Sequence, residues 1–104
     1  MKPISESIIY IEFLDHASTT NSWQTYEEYS EDCKIVPCKV IGFLEKEDKL
    51  AFYLSTMKSD QELGSGHIIL KSTITYLKKW SIKSHFRGFQ HIITKITEDP
   101  STEY

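Results

Sequence analysis

Asp15 and His16 close an apolar run, six small or polar residues follow, and the chain resumes on Trp23: "FLDHASTTNSW". On an extended strand, neighbours point to opposite faces, so Asp15 and His16 cannot act as one catalytic unit. The loop behind them is better suited to recognition. Asp15, Ser18, Thr19, Thr20 and Asn21 offer carboxylate, hydroxyl and amide groups on short side chains, and Trp23 offers a flat ring. Such groups read base edges and ribose hydroxyls, and stacking of a base on an aromatic ring is worth ~1–3 kcal/mol. A second reading stays open. Asp15 and the serines cap a helix that begins near Ser22, while Trp23 packs into the core.

Cations collect further along. Lys71 and Ser72 follow the run "HIIL", Lys78 and Lys79 follow "TYL", and Arg87, the sole arginine, sits in "HFRGF" between two aromatics and a glycine. A planar guanidinium suits bidentate recognition of phosphate, and Lys71 and Lys79 add charge for the same ligand. The alternatives are lysines that guard an edge strand and an arginine in a surface or inter-subunit ion pair. Catalytic motifs are missing. The sequence has no G-x-S-x-G elbow, and "LGSGH" lacks the Lys-Ser/Thr of a phosphate loop. Cys33 and Cys38 are expected to be reduced, because no C-x-x-C or H-x-x-x-H pair supplies the further ligands of a zinc site. The chain therefore reads as a non-enzyme with neither metal nor cofactor.

The elements that must hold these groups are mostly strands. A chain of 104 residues makes one domain, here 1–104, with six Tyr, five Phe and two Trp to fill a single core. Twelve basic against fifteen acidic residues, a net charge of −3, counts against general nucleic-acid binding. No apolar run approaches the ~20 residues that cross a membrane, and the Ser/Glu interruption in "MKPISESIIYIEF" is unlike a signal peptide. "SIIYIEFLD" predicts a first strand over about 7–14, apolar on both faces. "SWQTYEEYSED" predicts a short helix over 22–31, with Trp23, Tyr26 and Tyr29 on one face. "CKIVPCKVIGFLEKEDKLAFYLSTM" is a hairpin around the charged turn "EKED". Pro37 places the start of its strand at an edge or bulge, and Gly42 marks a bend.

"KSDQELGSG" reads as a flexible loop, and "HIILKSTITYLKKW" as two short strands or one bent strand. Residues 85–97 divide evenly between helix and strand, and from Glu98 the tail is expected to fray. This inventory predicts a mainly β (α+β) fold: a small bent antiparallel sheet, an SH3- or Sm-like half-barrel with one short helix. Its edge strands invite a homo-oligomer, a dimer or a tetramer.

Three stretches, "YIEFLDHASTTNSWQTYEEY", "KVIGFLEKEDKLAFYLS" and "HIILKSTITYLK", together spanning about 8–80, resemble a pattern among small phage-encoded proteins. The pattern runs from an aromatic-Leu-Asp through a Ser/Thr-rich loop to a Trp, then to a "GFL-E-D" hairpin and a strand closing in Lys. Phe13 stands where the pattern has Trp, and the chain after Trp80 lies outside it. The family so resembled is that of the anti-CBASS nucleotide sponges. The resemblance implies a phage immune-evasion protein in the cytoplasm of the infected bacterial host. It would bind a cyclic dinucleotide without cleaving it, through Asp15, Ser18, Trp23, Tyr26, Lys71, Lys79 and Arg87. Two other classes remain: an inhibitor that covers a host protein with the acidic, Tyr-rich "YEEYSED", and a barrel that binds single-stranded nucleic acid.

Overall fold

The computed structural model describes residues 4–16 and 23–100. Strands β1 (Ile4–His16), β2 (Ile35–Glu47), β3 (Ala51–Lys58), β4 (Leu63–Leu70), β5 (Ile74–Arg87) and β6 (Gln90–Glu98) form one antiparallel sheet in the order β4-β3-β2-β1-β5-β6. One short helix, α1 (Tyr26–Asp32), lies between β1 and β2, and a 3₁₀ turn at Lys71–Thr73 joins β4 to β5. The mainly β, bent antiparallel sheet read from the sequence is the observed architecture. No helix among the described residues is long and apolar enough to cross a membrane.

Connectivity explains the bend. In the sheet, β4 and β5 are separated by β3, β2 and β1, which in a flat sheet sets them roughly 19 Å apart. A three-residue 3₁₀ turn advances only about 6 Å. The sheet must therefore curl until the end of β4 comes near the start of β5. At the head of the link the amide of Lys71 donates to the carbonyl of Leu50, in the β2–β3 turn, at 2.8 Å. β4 and β6 are the edge strands of the open sheet. Gly42 marks a close backbone approach: a Cβ there would lie 2.8 Å from the carbonyl oxygen of Ser55. The irregularity of β2 against β3 falls further on, between Leu44 and Lys46.

The inside of the curl is the core. Ile9 and Ile11 of β1 are fully buried beside Phe52 and Leu54 of β3, Ile69 of β4, and Ile74 and Leu77 of β5. Alternation sends Ile8, Tyr10 and Glu12 to the other face of the sheet.

Several boundaries differ from the sequence reading. Strand β1 starts at Ile4 and runs to His16, because Ile4 to Ser7 find partners at Ser84 to Ser81 of β5. The helix starts later than Ser22. Its cap is Thr25, whose Oγ1 accepts from the Glu28 amide at 3.2 Å, and Trp23 precedes it. The loop predicted over "KSDQELGSG" shrinks to 59–62, where Ser59 Oγ accepts from the amides of Gln61 and Glu62. Gly64 and Gly66 instead pair with Met57 and Ser55 in edge strand β4, with Ser65 between them in the left-handed region at φ 52°. Residues 85–97 are strand, apart from the turn at 88–89. Gly88, at φ 63°, reverses the chain, and the β-branched Ile92, Ile93, Thr94 and Ile96 then favour β6 over a helix. Pro37 behaves as expected: β3 pairs only with Phe43–Glu47, so that end of β2 has one side without a ladder.

Candidate functional site

The corner where β1 ends and β2 begins carries the first half of the predicted site. Asp15 is exposed there, opposite Val36, in a row with exposed Leu14 and Ile35. Ser18 lies outside the described residues. Trp23 is 92% exposed and Tyr26 is 81% exposed, with Tyr29 also open to solvent. The reading that placed Trp23 in the core is thereby overturned. The physical reason is the short helix. Seven residues form too little apolar face to dock on the sheet, so α1 is held by local bonds. Its Thr25 cap is followed by the Tyr29 amide on the Thr25 carbonyl at 3.0 Å and the Ser30 hydroxyl on the Tyr26 carbonyl at 2.9 Å. Glu27 and Glu28 lie in the first turn, where carboxylates suit the helix dipole.

The three cations are placed differently. Lys71, on the 3₁₀ turn, points its Nζ to Glu47 Oε2 at 2.6 Å and lies 4.9 Å over the ring of Phe52. Lys79, in the middle of β5 opposite Ile9, is 3.6 Å from Asp99 Oδ2. Arg87 ends β5, thirteen residues beyond Ile74, about 40 Å along the strand from the Asp15 end of the sheet. Asp15 lies at the end of β1 and Trp23 and Tyr26 lie on the connection from β1 to β2, whereas Lys79 and Arg87 lie along β5.

One concavity among the described residues is one that sequence reasoning missed. A cavity of about 420 Å³ opens on the outer face near the start of β1, with walls that include Glu6, Ile8, Phe43, Lys58, Asp60 and His91. Lys58 anchors it, with Nζ 3.2 Å from Glu6 Oε1, 3.1 Å from Glu45 Oε1 and 4.9 Å over the Phe43 ring. Ser55, buried on β3, donates to the same Glu45 oxygen at 2.9 Å. Partial burial alone would lower the pKa of Lys58, but its hydrogen bonds to Glu45 and Glu6 outweigh this and raise it. No local sequence signal marks this group. Glu6, Glu45 and Lys58 meet only because the sheet order sets β1, β2 and β3 side by side.

Nearby, the hydroxyl of Ser84 is hydrogen-bonded to Nε2 of His91. Ser84 is buried, and the pair links β5 to β6. Cys33 and Cys38 are free thiols, the latter with Sγ 3.5 Å from the Val36 carbonyl.

No family model, curated protein or solved structure matches this chain.

Proposed function

We propose that the protein is a non-catalytic binding protein that sequesters a cyclic dinucleotide or related nucleotide signal. In this reading it is a phage immune-evasion factor acting in the cytoplasm of the infected host. The observation that carries the binding role is the exposure of Trp23 and Tyr26. Two aromatic rings in solvent, Tyr26 on a locally capped helix and Trp23 just before its cap, contribute little to the core and can stack on a base. Asp15 and Ser18 would read base or ribose edges. The ion pairs of Lys71 and Lys79 are partly exposed and so worth at most about 1 kcal/mol, which lets a phosphate compete for either lysine. Arg87 would reach the ligand from a second copy.

A thermal-shift screen against nucleotides tests this. A ligand at a hundred times its Kd adds about 2.7 kcal/mol to stability, and the melting temperature rises with ligand concentration. No shift with any cyclic nucleotide rejects the sponge reading.

The acidic character of α1 favours a second reading, docking on a host protein. Glu27, Glu28 and Glu31 alternate with Tyr26 and Tyr29, and all five are exposed. Tyrosine is enriched in such contacts. This reading predicts a silent nucleotide screen and a complex with a basic host protein that Tyr29→Ala weakens.

A further inference from the structure

We infer that the outer face of the sheet, across β2, β1, β5 and β6, is a self-association surface on which a second copy of this chain sits about a two-fold axis. Cross-strand pairing puts Ile41 beside Tyr10, Tyr76 beside Glu12, and Ile96 beside Ile82, all on the side away from the core. Ile41 is 58% exposed, Tyr76 43% and Ile96 60%, so among the described residues nothing packs over them. A sheet whose two faces are both apolar is ordinarily covered on both.

Area and charge identify the occupant as another copy. A compact monomer of 12.1 kDa has about 6,000 Å² of accessible surface. This chain has 8260 Å², about 2,200 Å² more than that, whereas a standard interface takes about 800 Å² from each partner. Acids and bases on the face are paired with one another. Glu12 lies opposite Lys39, and Lys78 Nζ is 3.2 Å from Glu98 Oε1. Two such faces meet without like-charge repulsion although each chain carries −3, since α1 holds part of the acidic excess away from them. A two-fold contact presents the same patch from both sides, which a locally neutral apolar face satisfies.

The inference does not depend on the ligand, and its test uses none. Light scattering after size exclusion, on the full chain at tens of micromolar, is expected to give twice the 12.1 kDa chain mass. Ile41→Glu and, on another strand, Ile96→Glu each bring a carboxylate into the contact. Each should weaken the dimer roughly thirty-fold or more and give monomer, with an unchanged circular dichroism spectrum. Leu50→Glu, at an exposed residue in the β2–β3 turn, should leave the dimer intact. A monomeric native chain overturns the inference. So does a dimer that survives both face substitutions, which would point to pairing through the β4 or β6 edge. If one substitution prevents folding, the other decides.

Discussion

Replacing Trp23 by alanine separates recognition from stability at a single residue. Its ring makes little contact with the core, so the melting temperature of the free protein should stay within a degree or so. Affinity for a stacked nucleotide should fall at least tenfold, measured by calorimetry. A large loss of stability would return Trp23 to a structural role. Asp48 makes the opposite case, since its work lies in the fold. Its Oδ1 accepts from the amides of Leu50 and Ala51 at 2.9 Å each, and Oδ2 accepts from the Tyr53 hydroxyl at 2.8 Å. The Tyr53 bond first, and then the two amides, hold its pKa below the usual 3.8. A depressed carboxylate adds stability that is present above its unfolded pKa and lost as pH falls through the folded one. Asp48→Asn should therefore lower the melting temperature at neutral pH and flatten its fall below about pH 4. An unchanged acid limb in a pH series of melts would contradict this. The sequence placed the turn at "EKED", but Glu45 to Glu47 belong to β2 and the turn falls at 48–50; nor did it show the three donors that converge on Asp48. Trp23 was legible as an aromatic after a polar loop. Whether it faced core or solvent depended on how α1 docks, which spacing does not encode.

At the scale of elements, Gly42 and Gly88 show what could be read ahead and what could not. A glycine inside β2 announced a bend or bulge; what stands at Gly42 is a close approach, with the Ser55 carbonyl where a side chain would begin, and the bulge falls at Leu44–Lys46. Gly42→Ala should therefore destabilise by about 1–3 kcal/mol in urea melts, as backbone and not a flexible side chain must yield. A neutral effect would mean the curl is slack at that point. Ile11, fully buried at the centre of β1, sets the comparison: Ile11→Ala should cost about 2–5 kcal/mol. Gly88 was harder to interpret, because Phe89, Ile92, Ile93 and Ile96 also fit a helical spacing. The antiparallel pairing of β6 with β5 from Arg87 to Trp80 decided between the two periods, and that pairing is a tertiary fact. The "LGSG" stretch failed for the same reason. Its composition favours a loop, yet seven pairs with β3 hold β4 as a strand.

For the molecule as a whole, a three-residue link between β4 and β5 forces the sheet to curl, and the curl buries one face and leaves the other open. The chain is long for its size, 62 × 30 × 20 Å with a radius of gyration of 18.2 Å, against about 13 Å for a compact chain of this length. That shape suits a protein that completes itself with a second copy. The predicted site is divided in the same chain, with Trp23 and Tyr26 on the β1–β2 connection and Arg87 at the far end of β5. The central claim is that the protein holds a nucleotide signal without altering it. Isothermal titration of the native chain with cyclic dinucleotides tests it most directly, followed by denaturation and chromatography of the recovered ligand. Saturable heat with all added nucleotide recovered intact is the predicted result; no heat with any cyclic dinucleotide, or a cleaved product, would contradict it.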